Sequence, residues 1–129
     1  MNKPLMPSGI HPPLAPYSPG IEVVSRSRLV FCSGQVGIAP DAAIPPDCAA
    51  QTRLCFDNIR AILAEAGMGF EHVVKLNAYV SGREHLRAYM DVRNELFGEP
   101  YPASTLMIVS GFARPELLVE VEAIGAAPG

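Results

Sequence analysis

With 129 residues, 49% of them apolar and 18% charged, the chain has the length of one compact domain able to bury about two-thirds of the surface its unfolded form exposes. A net charge of −3 and the lack of any Lys/Arg run argue against a phosphate-backbone footprint, so nucleic acid is not the expected partner. The first twenty residues, with Pro4, Pro7, Pro12, Pro13, Pro16 and Pro19, contain no apolar run that suits a signal sequence or a membrane span, and the high apolar share overall predicts an apolar surface and hence an oligomer.

Residues 1–19 are too rich in proline for helix and lack strand alternation; they read as an extended arm ending in Ala15-Pro16-Tyr17-Ser18-Pro19-Gly20. Prolines on both sides restrict the backbone of Tyr17, which either tacks the arm to the core or serves a site. Ile21–Val24 and Leu29–Cys32, separated by Ser25-Arg26-Ser27-Arg28, give a hairpin signal. The second of these runs continues into Ser33-Gly34-Gln35-Val36-Gly37, where a glycine inside a strand pattern marks a bulge or a close backbone approach.

From Asp47 the apolar period becomes helical through Cys48, Cys55, Ile59, Ile62 and Ala66. Asp47 is the N-cap and Gly67 the C-terminal stop of a helix predicted over about 48–66. Val73–Val80 reads as a strand, and residues 83–97 as a second helix whose apolar stripe is Leu86, Tyr89, Met90, Leu96 and Phe97. Ser104–Val109 forms a further strand, and Gly111–Glu116 is a connector of hairpin length leading into Leu117–Ile124. The order predicts an α+β fold: a mixed sheet with two helices packed on one face.

Period-two alternation puts Glu120 and Glu122 on one face of the last strand with Leu118 and Ile124, and Leu117, Val119, Val121 and Ala123 on the other. The pair is either the wet face of a half-buried strand or, for one of the two, an acid/base group in a cleft. No P-loop, dinucleotide fingerprint, nucleophile elbow or zinc-helix motif is present. His11, His72 and His85 lie far apart and read as surface residues rather than metal ligands. Cys32, Cys48 and Cys55 are odd in number and form no CxxC, and on one helix Cys48 and Cys55 would stand roughly 10 Å apart, which favours a reducing, cytoplasmic setting.

Taken in order, Pro16-Tyr17-Ser18, Ser33-Gly34-Gln35, Ala50-Gln51-Thr52-Arg53 with Asn58-Ile59, Val73-Val74-Lys75, Pro102-Ala103-Ser104 and Val119-Glu120-Val121-Glu122-Ala123 resemble the Rid (reactive intermediate deaminase, YjgF-type) family from residue 15 to 124. The resemblance implies a chorismate-mutase-like fold with a six-stranded mixed sheet, one domain over 1–129 with residues 1–15 as an arm, and a homotrimer with small-molecule clefts between subunits. It also implies hydrolysis of enamines or imines to oxo compounds and ammonia, with no metal and no organic cofactor. Carried over by position, it implies Glu120 as the group that activates water, with Tyr17, Ser33 and Gly34 around the substrate.

One departure bears on specificity. Ser104 stands where the deaminase pattern has an arginine for the substrate carboxylate. A charge-assisted hydrogen bond contributes about 1.5–3 kcal/mol, a neutral one about 0.5–1.5, so activity on small 2-imino acids is expected to be weak or absent. The second helix departs too, with Met90 and Arg93 where the family often has Asn and Tyr. Arg93 and Arg114 are candidates for a replacement cation, each set against the plainer reading of a solvated surface arginine. Three functions follow: an enamine or imine deaminase acting on other substrates, a metabolite-binding or regulatory protein without chemistry, and, least favoured by the acidic balance, an endoribonuclease.

Overall fold

The computed structural model describes residues 2–129. Helix α1 runs Cys48–Glu65, and the Asp47 carboxylate accepts the Ala50 N–H at 3.0 Å, which satisfies one of the donors a helix start leaves without a partner. At the other end Gly67 takes φ +70°, so that its N–H reaches the Ala64 carbonyl at 3.0 Å and the Met68 N–H reaches the Leu63 carbonyl at 2.9 Å. Glycine adopts that left-handed turn without the Cβ clash other residues would meet. The second helix, α2, spans Leu86–Leu96 and follows a 3-10 turn at Arg83–His85, so the predicted start at residue 83 lies in that tighter turn.

Among the described residues six strands form: β1 Lys3–Leu5, β2 Gly20–Glu22, β3 Ser27–Val36, β4 Val73–Val80, β5 Ala103–Ile108 and β6 Val119–Pro128. Four of them build one mixed sheet in the order β3-β6-β4-β5, with β6 antiparallel to both its neighbours and β5 parallel to β4. The predicted alternation of the last strand holds. Val119, Val121 and Ala123 are buried with Leu76, Ala78 and Val80 of β4, and the core is completed by Cys55, Phe56, Ile59 and Leu63 of α1 and by Tyr89 and Val92 of α2. Both helices therefore lie on one face, as an α+β chain of this element order requires.

The partners of the strands differ from the sequence expectation. Residues 20–22 do not form a hairpin with β3; they pair antiparallel with Lys3–Leu5 of the arm, so the six strands divide into a sheet of four and a ribbon of two. Nor is β5 a hairpin neighbour of β6: the connector carries the chain past β4, and β6 is inserted between β3 and β4. The physical reason is burial. β6 has the most continuous apolar side and gains most from a central position, where it pairs on both edges, while the shorter β5 takes the outer place.

Candidate functional site

The face of the sheet turned away from the helices is uncovered. Register places three rows across it: Phe31, Ile124 and Lys75; Glu122, Asn77 and Thr105; and Glu120, Tyr79 and Met107. The two glutamates that periodicity made equivalent are distinguished here. Tyr79 donates its hydroxyl proton to Glu122 Oε1 at 2.9 Å, and that bond, with lesser contributions from desolvation and the nearby carboxylates, raises the Tyr79 phenol above its ordinary range. Glu120 has no hydrogen-bond or ion-pair partner among the described residues, and it lies over Gly34 instead.

Gly34 sits where β3 slips register. Cys32 is opposite Ala123 and Gln35 opposite Val121, so Ser33 and Gly34 together face Glu122 as a bulge. A Cβ at position 34 would overlap the Glu120 carboxylate, so the bulge and the close approach that a strand glycine signals both occur here. Ser33 is exposed and lines a shallow groove with Phe31, Asn77 and Glu122.

A second constellation lies on the helix side of β5. Tyr17, Arg93 and Ser104 line a cavity of about 340 Å³ together with Leu14, Ala15, Met90 and Leu106. The size falls in the lower part of the range for small-molecule sites, roughly 300–1,000 Å³. Tyr17 is held there because its neighbour Ser18 docks the arm: the Ser18 N–H donates to the Pro102 carbonyl at 3.1 Å and the Ser18 hydroxyl to the Tyr101 carbonyl. Arg93 is not the solvated arginine that composition favours; it is only 4% exposed. Its Nη1 donates to Ser104 Oγ at 3.3 Å, while Nε and Nη2 share Asn94 Oδ1 at 3.3 and 3.2 Å. Arg114 is exposed on the loop before β6, 3.5 Å from the Glu116 carboxylate and outside the cavity lining.

Two contributors escaped the sequence reading. Gln51 is fully buried and ties α1 to the start of β6: its Oε1 accepts the Leu118 N–H, and its Nε2 donates to the carbonyls of Glu116 and Pro45, each at 2.9 Å. A polar residue one turn from Cys48 and Cys55 on the buried stripe was the available signal. Tyr79 gave none, because its bond to Glu122 depends on the pairing of β4 with β6. His72 has a local task, its Nδ1 accepting the Gly69 N–H at 3.0 Å. All three cysteines are free and buried, and burial pushes the Cys55 thiol up to about 12, which leaves it protonated and unreactive.

A profile of the family described as Endoribonuclease L-PSP, the YjgF/Rid family, matches residues 9–127. The chain belongs to the Rid family. A RutC family protein of Pyrococcus abyssi is 35% identical over 114 residues, covering 87% of each chain. TdcF of Escherichia coli K12, provisionally named a reactive intermediate deaminase, is 28% identical over 115 residues, covering 86% of each. The crystal structure of YyfB from Yersinia pestis, a protein of the conserved Rid family, superposes with a TM-score of 0.85 at 26% identity over 98% of both chains.

In this Rid chain the two constellations cannot meet. Ser104 is registered against Leu76, and Leu76 against Ala123, all turned to the helices, whereas Glu120 is registered against Tyr79 on the uncovered face. Side chains on opposite faces of one sheet are separated by its backbone. A ligand held by Arg93 and reached by Glu120 needs two copies of the chain. No helix is long and apolar enough to cross a membrane.

Proposed function

We propose that the chain is a subunit of a cytoplasmic homotrimer whose inter-subunit clefts bind a small metabolite and hydrolyse an enamine or imine other than the small 2-imino acids. Family membership supports the reaction class, and TdcF is provisionally named a reactive intermediate deaminase. The observation that carries the reading is the state of Glu120: a carboxylate on an uncovered face, without a partner among the described residues, beside a glycine that leaves it room. Glu122, by contrast, is occupied by Tyr79.

In the proposed reaction Glu120 takes a proton from a water molecule as that water adds to the imine carbon. A C–O bond forms, the C=N π pair moves to nitrogen, and the nitrogen is protonated. That proton is the one Glu120 took from water, and the carbinolamine then collapses: Glu120 takes the hydroxyl proton and passes it to the nitrogen, the C–N bond breaks, ammonia leaves, and the C=O bond forms. An enamine enters the same path after protonation at carbon. Tyr17 and neighbouring backbone groups orient the substrate.

Ammonia release from imines and enamines generated in solution, compared between wild type and Glu120→Gln, tests this. General-base catalysis predicts a loss on the order of 10²–10⁴ in the variant. Equal rates would remove Glu120 from the mechanism. Ser104 in place of a basic residue favours a second reading, a metabolite-binding protein without turnover; it predicts stabilisation by 2-oxo acids with no ammonia from any candidate. The net charge of −3 counts against RNA as substrate despite the description attached to the family.

A further inference from the structure

We propose that Arg93 is a carboxylate anchor, and that the cavity in front of it takes a carboxylate joined to an apolar body. The proposal deepens the reading above and rests on the Tyr17–Arg93–Ser104 cavity being the ligand site.

Arg53, Arg87 and Arg114 each have a carboxylate within 4.0 Å, and all three are solvated. Arg93 is buried, and among the described residues no carboxylate lies within that distance of it. Its partners, Asn94 and Ser104, are neutral. A guanidinium has five N–H donors and cannot shed its charge, so a buried one without a counter-ion is a standing demand for an anion. Nε and one N–H of Nη2 are taken by Asn94, and one N–H of Nη1 by Ser104. One N–H on each Nη is not taken by these two; the buried Tyr89 hydroxyl, also neutral, is the other polar group near the guanidinium, and the donors that remain suit the oxygens of a carboxylate.

The rest of the lining selects what the carboxylate is attached to. Leu14, Ala15, Met90 and Leu106 are apolar, and the Tyr17 hydroxyl is the one further polar side-chain group besides Ser104. A phosphate dianion fits poorly with one cation and two spare donors, and a very small acid would leave the apolar wall wet. The cationic group comes from α2 and reaches Ser104 of β5 through its Nη1, and the small serine side chain there leaves cavity volume that a long side chain at position 104 would take up.

Calorimetric titration of the full chain with 4-methyl-2-oxopentanoate, its methyl ester, pyruvate and inorganic phosphate tests the proposal. Saturable binding of the branched acid is expected, with the ester and pyruvate each at least tenfold weaker and no competition by phosphate. Arg93→Met should lose at least tenfold and Arg93→Lys less. Met90→Glu, which sets a competing carboxylate in the lining while leaving Arg93 in place, should abolish binding and still melt as wild type does. If Arg93→Met does not fold, Met90→Glu decides. Equal binding of acid and ester, undiminished binding in Arg93→Met or Met90→Glu, competition by phosphate, or no binding of the acid at all overturns the proposal; the last result, with Arg93→Met altering subunit association, would mean that a second copy supplies the counter-ion. Because binding is read apart from turnover, a chain that binds the acid but releases no ammonia sinks the hydrolytic reading and keeps the anchor, whereas full turnover in Arg93→Met does the reverse.

Discussion

At position 34 the space for a side chain is already occupied by the end of Glu120, a flexible group on the uncovered face rather than backbone. Gly34→Ala should therefore be met by rotation of that carboxylate, with a stability change within about 1 kcal/mol. On the proposed mechanism the rotation matters far more to chemistry, because misplacing a catalytic group by about 1 Å costs on the order of 10²-fold. Ammonia release should fall by roughly that factor while the melting temperature barely moves; unchanged turnover would show that the location of Glu120 is immaterial. A glycine interrupting a strand pattern is legible in the sequence. What it makes room for is not, since Glu120 is far away along the chain and reaches Gly34 only through the β3–β6 register. The same holds for the bond that occupies Glu122, which needs the β4–β6 register.

Among the elements, α1 is the hub: Gln51 fastens it to the strand that carries Glu120, and Arg53 fastens it to the helix that carries Arg93. The Arg53 guanidinium meets Glu95 of α2 through two hydrogen bonds of 2.8 and 2.9 Å and holds that carboxyl below its ordinary range. A carboxylate with a depressed folded-state pKa adds stability above its unfolded pKa and loses it as pH falls through the folded value. Urea unfolding of wild type and Glu95→Gln should thus differ at neutral pH and converge on acidification below the ordinary carboxylate range. Both side chains are solvated, so the difference should be small and shrink with salt. A gap that persists in acid would assign the effect to helix propensity instead. The helices and their caps were legible because hydrophobic period and capping chemistry are local. The hairpin expected between residues 21–24 and β3 was not realised because strand pairing is settled by distant partners.

For the whole molecule the decisive feature is the uncovered sheet face. Phe31 is 70% exposed, Met107 53% and Leu29 51%, and register groups Phe31 and Met107 with Ile124 on that face. Apolar side chains in such an array form the kind of surface that a second copy would cover in the proposed oligomer. Burying a phenylalanine contributes about 1.5–3 kcal/mol, and an aspartate in its place adds the desolvation of a charge. Phe31→Asp should convert the proposed trimer to a folded monomer at micromolar concentration, read as mass by light scattering or sedimentation. Loss of turnover should accompany it, because Glu120 and the Arg93 cavity need separate copies. A monomeric wild type would defeat the shared-cleft reading.

Much of this protein could be worked out from its residues in order: the α+β element order, the caps at Asp47 and Gly67, the buried and exposed sides of the last strand, and the family. These follow from period, cap chemistry and short ordered segments, which are local properties of a chain. Tertiary structure alone set Tyr79 against Glu122, buried Arg93 beside Ser104 with no counter-ion among the described residues, and turned the two candidate constellations to opposite faces of one sheet. Those outcomes depend on which strands pair and in what register, and that is decided by the sum of burial over the whole core.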